Sequence, residues 1–405
     1  FKQKTAYEIS LGLVGSEMCI RDRVEVDPGE AGFDAERLGR LGTHLNKYVD
    51  RGLLPGVNVL VSRGEEIVYR HMYGARDMER ALPVEADTIY RFYSMTKPIT
   101  SIAIMQLYEQ GLFQLKDPIS RWIPSFAGSQ VFSGGNALEP QTRDATRDIS
   151  VHDLLTHTSG LTYHFHMAHH VDEMYRRAGF DWTKSPGDLE SQCDILASLP
   201  LLFDPGSEWN YSYSTDVLGR LIEVMSGLSL DAYLKKNIFE PIGMVDTGFS
   251  VPDGQEERFA SCYYPDGETQ QATLLDDAQR SRYLREPEAL SGGGGLVSTL
   301  GDYHRFTQAL RSGGALDGKR IIGRKTLEFM TSNHLPGGVD LTEYGRPLFS
   351  ETAYDGVGFG LGFSVVIDPA KAKVLSQRGE YAVSYTHLRA HETEADLVCR
   401  LLHEK

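Results

Sequence analysis

The chain is poor in cysteine. Four occur in 405 residues, far apart and with no C-x-x-C pair, so neither a zinc ribbon nor a disulfide scaffold is indicated. No apolar run reaches the roughly 18 residues that a membrane-spanning helix needs. Cationic runs are also missing. With 41 Lys and Arg against 56 Asp and Glu, the formal net charge is −15, and a nucleic-acid partner, which requires a positive face, is not expected. There is no G-x-S-x-G, which excludes the nucleophile elbow of the α/β-hydrolases. The glycine run Gly292–Gly295 is not followed by the Lys-Ser/Thr of a phosphate loop. No internal repeat or low-complexity tract is present.

The two ends read differently from the rest. Residues 1–23, FKQKTAYEISLGLVGSEMCIRDR, and residues 383–405, VSYTHLRAHETEADLVCRLLHEK, resemble translated sequencing adapter, forward at one end and reverse-complemented at the other. Such segments are set aside before a fold is read. The natural portion is then expected over about 24–382. Cys19 and Cys399 drop out, leaving Cys193 and Cys262. On this reading the natural C-terminal continuation is replaced, and residues 383–405 have little reason to complete a sheet. The printed chain is expected to be less stable than its parent and inactive, or nearly so.

Periodicity outlines the elements. Leu38, Leu41, Leu45 and Tyr48 lie at helical spacing within 34–51. A hairpin is predicted from the runs Val57–Ser62 and Glu66–Tyr73, joined at Arg63-Gly64. Residues 94–110 return to helical period, with Gly111 as the stop. Further helices are predicted over 215–226, 230–238, 302–312 and 325–331. A strand is expected over 358–367, and a partner strand begins within 374–382. The fold class is therefore α+β, with one antiparallel sheet built from the N- and C-terminal parts and flanked by helices. An α/β lobe is expected over about 24–120 and 285–382, with a mostly helical lobe, about 121–284, inserted between.

Ser94-Met-Thr-Lys97 is the only S-x-x-K of the sequence, and Pro98 follows it. Proline is tolerated only in the first turn of a helix, which places the helix start close to Ser94. There the positive dipole end favours a developing oxyanion. Lys97 lies one turn on, on the same face, where its amine can touch the serine oxygen. A serine nucleophile is inert until a neighbour takes its proton. By itself the tetrad is better read as a capping serine and a solvated lysine, because about one such match arises by chance in a chain of this length.

The surrounding residues add to it. Tyr90-Arg-Phe-Tyr-Ser-Met-Thr-Lys-Pro-Ile-Thr100, His152-Asp-Leu-Leu-Thr-His-Thr-Ser-Gly-Leu161, Pro205-Gly-Ser-Glu-Trp-Asn-Tyr-Ser-Tyr213 with Asp216-Val-Leu-Gly219, Gly292–Ser298 and Gly358–Phe363 stand in this order. Together they resemble the serine β-lactamase and penicillin-binding-protein superfamily, closest to class C β-lactamases and family VIII carboxylesterases, over nearly all of residues 30–382. The resemblance implies the fold just described and puts Tyr211 on the family's catalytic tyrosine. It gives Tyr211 the role of taking the serine proton, with the Lys97 charge lowering its pKa. Tyr213 stands where the β-lactamases usually have Asn, which moves the expectation from lactam to ester. The family's third motif would lie beyond Ala382. Of its two oxyanion donors, the Ser94 N–H then remains and the second is lost with the C-terminus.

Tyr163 and His164 are expected to face substrate, with Tyr213 beside them. His164, His166, His169 and His170 form a cluster that could hold a metal, line the pocket or lie on the surface, and pocket lining is favoured. The expected function is a serine hydrolase forming an acyl-enzyme on Ser94, acting on small esters, with no cofactor and no metal. A β-lactamase or D-Ala-D-Ala carboxypeptidase is the second reading, and an inactive binding module on the same fold the third. The expected partner is a small-molecule ester or lactam, with no nucleic acid and no membrane span. Oligomeric state stays open. A cytoplasmic location is favoured, with periplasm and secretion left open by the uncertain native N-terminus.

Overall fold

A computed structural model of the chain describes residues 25–181, 186–346, 354–383 and 399–401. It divides into two compact units. One holds the described residues up to Thr88 together with Tyr263–Thr273; the other holds Ile89–Cys262 and the described residues from Leu274 on.

The first unit opens with helix α1 (Ala35–Asp50), started by Asp34, whose carboxylate accepts from the Arg37 N–H. That bond satisfies one of the donors a helix start leaves unpaired. Strands β1 (Gly56–Arg63) and β2 (Glu66–Asp77) form the expected hairpin, in register from Gly56 opposite Gly74 to Arg63 opposite Glu66, with an irregularity between Val61 and Ser62. Strand β3 (Leu82–Pro83) pairs with β2 to make a three-stranded antiparallel sheet.

The second unit is organised around helix α2 (Thr96–Glu109). The sequence places one apolar face on it, but every residue from Thr96 to Met105 is buried. A helix covered on all sides is a core helix. It packs against α3 (Ser214–Ser226), which ends at Gly227 in the left-handed conformation (φ 71°). Short strand β4 (Ile89–Arg91) pairs antiparallel with β5 (Val297–Thr299), so an early and a late segment meet directly in front of α2. Helix α4 (Leu300–Arg311), capped by the Thr299 side chain, follows at once.

The run 358–367 is not one strand but two, β6 (Val357–Phe359) and β7 (Ser364–Val366), paired with each other. Gly362 turns the chain between them at φ 92°, where a Cβ would run into the Ser101 side chain. Strand β8 (Tyr381–Val383) adds to β7. The ladder does not stop there. Cys399–Leu401, within the segment that was given little reason to join the sheet, pairs antiparallel with β8. An edge strand presents a row of unpaired N–H and C=O groups that any extended segment can satisfy. Residues 1–23 and most of 383–405 lie outside the described residues. A hairpin over Gln130–Gly135 and Pro140–Asp144 interrupts a region read from sequence as helices and loops. Among the described residues, no helix is long and apolar enough to cross a membrane.

Candidate active site

Three segments of the second unit converge on Ser94. The first is the start of α2. Ser94 sits in a single 3-10 turn, Tyr93–Met95, that leads into α2, with Pro98 in the first helical turn. Tyr93 is held at φ 41°. A non-glycine residue in that region is strained and persists only when its surroundings fix it. Helix geometry then brings Lys97 Nζ to 3.3 Å from Ser94 Oγ. The second segment precedes α3, and from it the Tyr211 hydroxyl donates to Ser94 Oγ at 2.5 Å. The third is the glycine run before β5. The Gly293 carbonyl accepts from Lys97 Nζ at 2.7 Å, and the Gly292 carbonyl accepts from the Thr100 hydroxyl at 2.8 Å. A Cβ at Gly292 would press on the Thr215 carbonyl, and one at Gly293 would overlap Asp216 Oδ2, so glycine is required for this approach between α2 and α3.

The electrostatics follow from burial. Ser94 and Lys97 are 1% and 4% exposed. Desolvation disfavours the ammonium and lowers the Lys97 pKa to about 7, against the opposing pull of Asp216. Burial pushes Tyr211 upward, and the hydrogen bond to Ser94 offsets only part of that. The expected lowering of Tyr211 by Lys97 is therefore not what this environment produces. The amine lies over the tyrosine ring, 4.3 Å from its centroid, and desolvation of the phenol dominates. Of the two groups touching Ser94, the lysine is the one whose pKa falls near neutrality, where a general base is most effective.

Tyr163 packs beside these groups, its ring centroid 5.3 Å from that of Tyr211, with Lys97 Nζ 5.2 Å above its face. His164 and Tyr213 are bonded to each other instead, with Nδ1 2.6 Å from the phenol oxygen, and both are buried. Burial lowers the His164 pKa to about 4. Of the remaining histidines of the cluster, His166 and His169 line one cavity together with Thr162 and Asp172. His166 bonds the Thr162 hydroxyl (3.1 Å), His169 accepts from the Val171 N–H, and His170 opens a helix, His170–Arg177.

Sequence reasoning passed over a buried polar chain behind Tyr211. His157 Nδ1 meets Ser212 Oγ at 3.2 Å, Ser212 Oγ meets Ser214 Oγ at 2.8 Å, and Ser214 Oγ meets Ser159 Oγ at 2.8 Å. It ties the loop 157–162 to the segment that carries Tyr211. The signal was present as Ser212 and Ser214, spaced by two just after Tyr211, but hydroxyl-rich segments usually read as turns.

Comparison with known proteins identifies the family. The sequence model of the Beta-lactamase family matches residues 41–397. The chain belongs to the beta-lactamase family. Among its relatives, an uncharacterized protein of Mycobacterium tuberculosis is 34% identical over 332 residues, covering 82% of this chain and 80% of that one. Esterase EstB of Burkholderia gladioli is 32% identical over 309 residues, covering 71% and 74%. Among solved structures, EstCE1, described as a hydrolase with promiscuous acyltransferase activity, superposes with a TM-score of 0.69 at 26% identity, covering 86% of this chain and 87% of that one. The beta-lactamase-family protein is thus a serine hydrolase of α+β fold.

Proposed function

We propose that the protein is a carboxylesterase working through an acyl-enzyme on Ser94. The observation that carries this is the convergence of Lys97 Nζ and the Tyr211 hydroxyl on one serine oxygen at a helix start. Neutral Lys97 takes the Ser94 proton as Oγ attacks the ester carbonyl. The Ser94 N–H, at the positive end of α2, donates to the oxyanion. Tyr211, kept protonated by burial, hands its proton to the departing alkoxide and is reprotonated by the Lys97 ammonium. Water then enters by the reverse path and releases the acid.

The preference for esters over lactams is supported by Tyr213. Its hydroxyl is engaged with His164, and a phenol cannot offer the paired donor and acceptor of an asparagine amide. The acyltransferase activity named for EstCE1 favours a related outcome, in which a small alcohol replaces water as the acyl acceptor. A fluorophosphonate probe followed by peptide mapping tests the nucleophile. The adduct is expected on Ser94 and lost in Ser94→Ala; labelling that persists in that variant overturns the assignment.

A further inference from the structure

Asp216 lies in the first turn of α3 and is buried. An acid at a helix start is ordinarily an exposed partner of the dipole, but a buried carboxylate is costly unless donors and a countercharge face it. One oxygen is well served. Oδ1 accepts from the Ser291 hydroxyl at 2.5 Å and from the Gly293 N–H at 3.2 Å. Among the described residues, Oδ2 has no hydrogen-bond donor. A Cβ on Gly293 would overlap Oδ2 and sit 3.0 Å from the Tyr163 hydroxyl, so this oxygen points into the space that the glycine leaves open. Gly293 links it to the reacting pair, because the residue whose N–H is held by Asp216 also turns its carbonyl to Lys97 Nζ at 2.7 Å.

We propose that Asp216 is a positioning residue of the Ser94–Lys97 pair: through Gly293 it fixes the carbonyl that holds Lys97 against the serine, and it supplies the negative charge facing the Lys97 amine. This rests on Ser94 as nucleophile and Lys97 as its base. The other titratable groups facing the two are Tyr163, Tyr211, Tyr213, Cys193 and His157. Burial raises the three phenols and the thiol and lowers the imidazole, so each stays neutral around pH 7. Burial also raises Asp216, while Ser291, Lys97 and the Gly293 N–H pull it back. The charge of Asp216 is the one that opposes the desolvation of Lys97.

The test is the pH profile of kcat/KM for p-nitrophenyl butyrate in the parent protein. Asp216→Asn keeps an acceptor for Ser291 and Gly293 but removes the charge. Its acid limb is expected to move down by about one pH unit, the low end for losing a nearby opposite charge, with KM little changed. Asp216→Ala also frees Gly293, and kcat is expected to fall roughly ten- to a hundredfold, as displacement of a reacting group does. A purely structural role would lower activity at every pH and leave the limb in place. An Asp216→Asn limb superimposable on the parent's overturns the proposal. If that variant does not fold, Ser291→Ala serves, since it loosens Asp216 and keeps its charge. A severalfold loss of kcat with an unchanged melt is expected, and an unchanged kcat overturns the proposal. Failure of the fluorophosphonate to label Ser94 in the parent would instead remove the nucleophile on which both readings stand.

Discussion

At the scale of single residues, the proposed mechanism separates a base from a proton donor by what burial does to each. Desolvation brings a lysine down to about 7, whereas it takes a tyrosine further from any pH at which it could accept a proton. The acid limb of kcat/KM is therefore expected near pH 7 and governed by Lys97. Tyr211→Phe should lower kcat by roughly a hundredfold or more, the scale for losing a proton-transfer group, and leave the limb where it was. A limb that vanishes with the phenol would return the base role to Tyr211. Tyr213 is a different case, since its hydroxyl holds His164. Tyr213→Phe leaves a buried ring nitrogen without that partner and is expected to cost about 1–3 kcal/mol in a urea melt, with kcat on small esters nearly unchanged.

At the scale of elements, the site depends on segments that carry no reacting group. The chain from His157 through Ser212 and Ser214 to Ser159 binds the loop after residue 156 to the start of α3. Ser214→Ala interrupts it and takes one partner from each of two buried hydroxyls, Ser212 and Ser159, so a loss of about 1–3 kcal/mol is expected by thermal or urea melting, together with a fall in turnover as Tyr211 loosens. The three groups that meet at Ser94 Oγ were each singled out from sequence: Ser94 and Lys97 by a spacing of one helix turn, Tyr211 by the family resemblance of its segment. The long helices around them were also readable from their apolar period. What supports the site was not readable. Asp216 looks like any acid in a first helical turn, and nothing local shows that its oxygens meet a glycine 77 positions away. The strand expected over 358–367 divides because Gly362 must turn against Ser101, a residue of α2. That contact is tertiary, and periodicity along one segment does not contain it.

At the scale of the whole molecule, the substrate preference is the prediction that tests the ester reading most directly. The protein is expected to favour p-nitrophenyl acetate or butyrate over nitrocefin when kcat/KM is measured on each, and a clear lactam preference overturns it. The buried Lys97 has a further consequence that involves no substrate. In the unfolded chain its amine keeps the ordinary value of 10.5, whereas in the fold it releases its proton at about 7. Below pH 7 both states hold the proton, and folding bears the full cost of burying the cation. Between those two values only the unfolded chain holds it, so stability climbs with pH at up to about 1.4 kcal/mol per unit. Above 10.5 the cost is gone. Lys97→Met should thus raise the melting temperature at pH 6.5 and lose most of that advantage by pH 10, and a constant difference across the range would show that Lys97 is not depressed. Parent and variant melts, taken side by side, become a titration of one amine. The protonation of the resting enzyme can then be read from how firmly the chain holds together, before any ester has been added.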